Sequence, residues 1–332
     1  MRKIAILSNS ERRELFQTTA IRMGIRPEVV EKDFWVCFML DYLFHECKYH
    51  KAFVFKGGTS LSKSYHVIKR FSEDIDLILD WREIIKDASN PWDMRTKTKQ
   101  NLYNKQINHI AAVFYKEQLV PELNKGLKGI LGESNWSAVD KDDSMVINFY
   151  YPRVFETEYI LPSVRLEIGP LAEWFPSHNT NIVPFAAELY PELFEVPSTD
   201  VLTIDAERTF WEKITILHKI AHFSAEKILP YRYARHLYDV YCLANSTIKQ
   251  SAFEKKELLE KDIAFKQKFY YSKGAHYETA TIKNVCLIPS EPIMQSLRND
   301  YVAMKNMIYG DAPEFEDIIE QLKKLENEIH TL

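Results

Sequence analysis

The sequence has no surplus of positive charge. Its 332 residues carry 43 lysines and arginines against 47 aspartates and glutamates, a formal net charge of −4. That excludes a chain that holds nucleic acid through an overall basic field, so any RNA contact has to be a local patch. Cysteine is scarce as well. Cys37, Cys47, Cys242 and Cys286 stand alone, with no C-x-x-C pair to suggest a zinc or dithiol motif. Three of the four sit among apolar residues, where a buried thiol is the default. Long hydrophobic runs are missing too. The most apolar stretch, Phe34 to Phe44, is about half of the roughly 20 residues that span a membrane, and Asp41 interrupts it. The opening MRKIAILSNSERR has an apolar run too short for a signal peptide. The expectation is a soluble, cytoplasmic chain with no membrane partner. What remains is an ordinary globular composition, 46% hydrophobic and 27% charged, long enough for two domains.

The chain is organised around FVFKGGTSLSKSYHVIKRFSEDIDLIL, residues 53–79. Phe53-Val54-Phe55 predicts a strand that Gly57-Gly58 breaks. Two glycines without Cβ atoms let the backbone approach a ligand closely. Thr59 to Ile68 then predicts a short helix, whose first N–H groups suit a phosphate. A second strand carries Asp74, Ile75, Asp76 and Leu77. Side chains alternate along a strand, so the two aspartates share one face. Like charges side by side repel unless something positive lies between them. A divalent metal with oxygen ligands is the simplest such partner, and beside phosphate that means Mg²⁺.

This stretch admits three readings. Gly57 to Ser64 is one residue short of a P-loop, with Ser62 where the second glycine is required. A nucleotidyltransferase site instead uses a glycine turn to open a triphosphate-binding helix and an Asp-x-Asp strand to hold two metals. That reading accounts for both halves and for the spacing between them. An ordinary strand–helix–strand unit with surface acids leaves the juxtaposition unexplained.

Five blocks carry a family resemblance: VEKDFWVCFML (30–40), FVFKGGTSLSKSY (53–65), RFSEDIDL (70–77), TFWEKITILH (209–218) and RHLYDVYCLA (235–244). In this order they resemble the AbiEii-type nucleotidyltransferases, toxins of type IV toxin–antitoxin and abortive-infection systems within the polymerase-β-like superfamily. The resemblance implies an α+β fold, a polymerase-β-like core of mixed sheet flanked by helices, with an added helical C-terminal region. It places the core and N-terminal helices in residues 1–204. Residues 205–332 form a helical domain that contributes Lys213 and Asp239 to the site. It implies a metal-dependent transfer of NMP from an NTP to an acceptor hydroxyl, with two Mg²⁺ ions (Mn²⁺ as a substitute). Asp74, Asp76 and a third carboxylate from a neighbouring strand would hold the metals, and Gly57, Gly58, Thr59 and Ser60 would bind the triphosphate. An RNA acceptor, the tRNA 3′ end, and a separately encoded antitoxin are the implied partners. A nucleotide-binding sensor without turnover and a protein nucleotidyltransferase stay open as alternatives.

The rest of the chain fits around that core. Ser8 and Glu11 predict a capping box for a helix ending at Gly24, and Pro27 suits the first turn of the next helix. Lys32 and Asp33 on that helix read as a solvated face. Leu102 to Leu131 predicts a long helix whose lysines are solvated, and Gly132 to Ser144 a loop. Tyr159 to Gly169 predicts a strand with Ser163, Arg165 and Glu167 on one side. Glu167 is the third carboxylate of the metal reading, or else an ion-pair partner of Arg165. Asp205 is a cap for the helix bearing Lys213, a point charge for phosphates. His218 and His222 stand four apart without an acidic third ligand and read as polar or packing residues. Asp239 either pairs with Arg235, holds Lys213 or contacts the nucleotide. Residues 246–332 match no motif; within them, Phe269, Tyr270 and Tyr271 beside Lys266, Lys268 and Lys273 suit base stacking or core packing.

Overall fold

The computed structural model describes residues 1–84, 90–133, 135–156, 160–171 and 176–332. Its strands form one seven-stranded mixed sheet in the order β3-β4-β5-β2-β1-β7-β6. These are β1 Phe53–Lys56, β2 Asp74–Leu79, β3 Ser137–Val139, β4 Val146–Phe149, β5 Val164–Gly169, β6 Ser177–Ile182 and β7 Thr199–Ile204. β2 lies at the centre, antiparallel to β1 and parallel to β5. This is the α+β arrangement predicted from the sequence, a mixed sheet with helices and a helical C-terminal region. Tyr159, where the sequence places the start of the fifth strand, lies outside the described residues.

The chain divides into two compact units: Met1–Ser64 with Ser72–Ile204, and Tyr65–Phe71 with Asp205–Leu332. Of the ten residues between the glycine helix and β2, the seven from Tyr65 to Phe71 therefore belong with the C-terminal helices. The helix expected over Thr59 to Ile68 is accordingly shorter and runs Gly57–Lys63. Past Ser64 the backbone departs from helical geometry, and His66 adopts a φ of 52°, which no helix accommodates.

In the first unit the N-terminal signals act as the sequence implies. Ser8 caps Asn9–Met23 through a complete capping box with Glu11, and Gly24 closes the helix at φ 66°. Helix Pro27–His45 is apolar nearly all round, and such a helix is a core helix. Trp35 packs on Phe149 and Tyr151 with ring centroids 6.0 and 5.7 Å apart. Glu31, Lys32 and Asp33 on it are buried too, which overturns the solvated face expected for Lys32 and Asp33. A charge without water needs a partner. Lys32 Nζ donates to Glu73 Oε2 at 2.7 Å, and Lys63 Nζ donates to Asp33 Oδ1 at 2.7 Å. Glu31 accepts from the backbone N–H groups of Val154 and Phe155 at 2.6 and 3.1 Å.

Two further local expectations need correcting. β3 lies inside the region read as a loop after Gly132, where it pairs with β4 over Ser137↔Phe149 to Val139↔Ile147. Asp205 occupies the N-cap position of Ala206–Ala221, but its side chain makes no capping hydrogen bond.

The second unit is helical. Ala206–Ala221 packs on Arg235–Ala244 and on Glu257–Phe269, and Arg235–Ala244 packs on Phe315–His330. The Tyr65–Phe71 segment is tied in through its backbone, with Phe71 N donating to Met307 O and Tyr309 N to Lys69 O, both at 2.8 Å. Buried Asp262 is held by Arg208 at 2.7 Å, Lys266 at 3.1 Å and the Thr215 hydroxyl at 2.5 Å. His218 is buried as a packing residue, its Nδ1 accepting from Cys286 N at 3.0 Å.

Candidate active site

Alternation on β2 sets the geometry of the first unit's site. Ile75 and Leu77 enter the core, and Asp74 and Asp76 occupy the half-buried face between them. β5 runs alongside in register, with Asp74 opposite Arg165 and Asp76 opposite Glu167. Lys56 of β1 lies opposite Asp76 on the other side. Residues paired in register share a face. Asp74, Asp76, Glu167, Arg165 and Lys56 are thus gathered on one surface of three neighbouring strands.

The charges there are incompletely matched. Asp74 Oδ1 is buried and accepts no hydrogen bond; Arg165 Nε stands 3.9 Å from it and is itself without a hydrogen-bond partner. Arg165 also lies 3.6 Å from Glu167 Oε1, the ion pair considered for this glutamate. Burial, reinforced by the charges of Glu73 and Asp76, pushes the Asp74 carboxyl up to about 6, against the opposing pull of Lys32 and Arg165. A carboxylate that is desolvated, crowded by like charges and short of a donor is a place where a hard cation gains most. Among the described residues no group of three His, Cys, Asp or Glu side chains is gathered closely enough to hold an ion alone. Two carboxylates completed by phosphate oxygens and water are, however, the donor set magnesium takes beside a nucleotide. Asp74 and Asp76 fit that role.

The glycine turn meets the aspartates directly. Gly57 has φ +82°, and a Cβ there would fall 1.9 Å from Asp76 Oδ2. Only glycine both adopts that backbone and leaves room for the carboxylate. The hydroxyls that follow are engaged: Thr59 Oγ1 donates to the Asp74 carbonyl and Ser60 Oγ to the Gly57 carbonyl at 2.8 Å. The Thr59 hydroxyl thus fixes the helix on β2, and the Ser60 hydroxyl closes its first turn. Gly57→Ala is expected to displace Asp76, lowering the denaturation midpoint and activity together. Gly129→Ala is the control, since its added methyl meets nothing within 4 Å. That change in a helix interior should stabilise by about 0.5–1 kcal/mol.

Three contacts here were not read from the sequence. Lys63, the residue a P-loop would aim at phosphate, is buried against Asp33, which removes the P-loop reading. Lys32, Glu73 and the Leu161 backbone interlock directly behind Asp74, with Leu161 N donating to Glu73 Oε2 at 3.1 Å. A signal was present: charges in the middle of a helix that is otherwise apolar all round announce buried pairs. The approach of Arg165 to Asp74, beyond the Glu167 pair already considered, is the third.

The second unit holds Lys213 and Asp239, on Ala206–Ala221 and Arg235–Ala244. Asp239 is fully buried and does not pair with Arg235. It accepts from Arg70 Nε at 2.7 Å and Nη2 at 2.9 Å, and from Lys213 Nζ at 2.8 Å. Burial alone would raise the Asp239 carboxyl, but Arg70 first and Lys213 next outweigh it and hold it well below the ordinary carboxylate range. His236 packs nearby, kept neutral by burial and by the Lys213 charge. Arg70, next to the Phe71-Ser72-Glu73-Asp74 run, is the partner of Asp239 that sequence spacing alone did not single out.

A family model described as the nucleotidyl transferase AbiEii toxin of type IV toxin–antitoxin systems matches residues 41–321, reaching well into the region without a recognisable motif. No curated protein is a significant match. Among solved structures, the chain is similar to the nucleotidyltransferase toxin MenT4 from Mycobacterium tuberculosis H37Rv, at 14% identity over 98% of this chain and 99% of that one, with a TM-score of 0.39. It is also similar to JHP933 from Helicobacter pylori, at 13% identity over 91% and 92% of the two chains, again with a TM-score of 0.39. None of the described helices is long and apolar enough to cross a membrane. With the family model covering most of the sequence, the chain belongs to the AbiEii family of type IV toxin–antitoxin systems and is a nucleotidyltransferase.

Proposed function

We propose that the chain transfers a nucleoside monophosphate from an NTP to a hydroxyl of RNA, the tRNA 3′ end being the acceptor the family resemblance implies. The observation that carries the chemistry is the Asp74–Asp76 pair, one carboxylate buried short of a donor and the other lodged against Gly57. Asp74 and Asp76 would hold Mg²⁺ together with phosphate oxygens and water, and Glu167, opposite Asp76 on β5, is the third carboxylate that substrate binding would have to draw in. Bound there, the metal would neutralise charge at the α-phosphate and the leaving pyrophosphate and make the acceptor hydroxyl more acidic. The N–H groups of Gly57, Gly58, Thr59 and Ser60 orient the triphosphate. The family resemblance implies a further point charge from Lys213, whose ammonium Asp239 holds at 2.8 Å. Lys32 and Arg165 moderate the charge on the aspartates, so that the site stays formed before substrate arrives. A separately encoded antitoxin is the implied partner.

Magnesium is expected to raise the melting temperature of the wild type and not that of Asp74→Asn. At about 100 times Kd the gain should be about 2.7 kcal/mol. An equal gain in the variant would remove Asp74 from the metal site. The acceptor is tested by incubating the protein with Mg²⁺, each α-labelled NTP in turn, and total tRNA. Label on RNA supports the proposal, whereas label on the protein itself makes it a protein nucleotidyltransferase. NTP binding with no label transferred would leave a nucleotide sensor.

A further inference from the structure

One surface of the second unit is not explained by the cluster around Asp239. Residues 266–276 contain three lysines and no acid, and residues 219–235 contain two lysines and two arginines against Glu226 alone. In a chain of net charge −4 that is a strong local excess. The two segments meet: the His222 ring lies 4.9 Å from that of His276 and 4.3 Å from that of His218. Lys219, between them, is depressed by burial and then by the nearby charges of Lys266 and Lys227.

The residues of this surface differ in burial, and the half-exposed Tyr270 ring also packs at 5.5 Å on Phe265. Phe269 and Lys266 are core, the latter bonded to the Glu212 carbonyl at 3.1 Å and to the Thr215 hydroxyl. Tyr270 and Tyr271, by contrast, are 53% and 48% exposed, and Tyr231 is 69% exposed. Lys227 and Lys273 are exposed alongside. Aromatic faces presented next to lysines form the combination that holds a single strand, with bases stacked on the rings and phosphates on the ammonium groups; the acids at its edge are Glu226 and Glu278, the latter 3.4 Å from His276 Nδ1. An acidic protein would use the lysines but has no need of paired tyrosine faces.

We propose that this surface holds the single-stranded end of the RNA acceptor, with Tyr270 and Tyr271 stacking bases and Lys227 and Lys273 contacting phosphates. The proposal rests on RNA being the acceptor. It is tested by fluorescence anisotropy of the full-length protein with a labelled single-stranded RNA of about 12 nucleotides, the span of a non-specific single-strand site. A poly-glutamate peptide of equal length is the comparison, and urea midpoints verify that each variant folds. Tyr270→Ala with Tyr271→Ala should weaken RNA binding at least about tenfold at an unchanged salt slope. Lys227→Gln with Lys273→Gln should reduce the slope of log K against log salt by about 1.4. Wild-type binding in both folded variants overturns the surface, and if label still reaches RNA the transferase reading stands without it. Poly-glutamate bound as tightly as RNA, with the tyrosines dispensable, makes the surface a site for an acidic protein instead. Tyrosine-dependent RNA binding with no nucleotide transferred to RNA overturns the acceptor role.

Discussion

Asparagine at Asp76 is expected to lower nucleotide transfer by at least about 10²-fold, the scale on which one electrostatic contact to the reacting phosphates acts. It should do so without unfolding the protein. Asp76 lies on the half-buried face of β2, and its neighbour Asp74 carries a like charge. Removing one of two like charges on adjacent same-face positions relieves repulsion of a few tenths of a kcal/mol. The melting temperature should therefore hold or rise slightly while activity collapses. A second readout separates lost chemistry from a distorted site. Asp76 is one of the charges that push the Asp74 carboxyl up to about 6, so in the variant Asp74 should titrate lower. Initial rates, a thermal melt and carboxyl titration by NMR test the three statements. Near-wild-type turnover in a folded Asp76→Asn protein would remove the aspartate pair from the chemistry.

Alanine at Asp239 should have the largest effect on stability. The carboxylate is fully buried between Arg70 and Lys213, and its removal leaves two cations in the interior with no counter-charge. Breaking a buried pair in this way costs about 3–5 kcal/mol, enough to unfold a marginal domain. Replacing all three residues with apolar ones of similar volume should recover much of that loss, because no orphaned charge remains. The pH dependence has a definite sign. The Asp239 carboxyl is held below its ordinary value of 3.8, so its stabilisation is complete above about pH 4 and is lost as pH falls towards the folded-state value. Between those limits the unfolded chain binds the proton first. Urea midpoints should fall steeply below about pH 4 in the wild type, whereas the Asp239→Asn profile should be flatter over that range. Parallel curves would mean that Asp239 contributes no differential charge interaction.

What could be read in advance was local. The Ser8–Glu11 capping box, the same-face aspartates of β2 and the break at Gly57-Gly58 depend on residues within a few positions of one another. Such patterns survive folding because alternation and capping are properties of the backbone. Apart from Lys213–Asp239, which the family blocks bring into view, the long-range buried ion pairs were illegible because they join distant positions. Arg70 reaches Asp239 across 169 residues and Lys32 reaches Glu73 across 41. No periodicity links such partners, and a charged residue on a helix is exposed far more often than buried. That default places Lys32 and Asp33 in solvent, although the largely apolar helix around them argues otherwise. The shortened glycine helix failed differently: Val67 and Ile68 suit a helix locally, but tertiary contacts of residues 65–71 with the C-terminal helices decide their conformation.

The central claim is that the stretch from Gly57 to Asp76 carries nucleotidyl transfer. Its most direct test is one reaction run in parallel with α-labelled and γ-labelled NTP, with Mg²⁺ and RNA, in wild type and Asp76→Asn. Nucleotidyl transfer predicts α-label in the acceptor, γ-label in pyrophosphate, and neither above background in the variant. Gamma-label in the acceptor, or α-label transferred equally well by the variant, would contradict it.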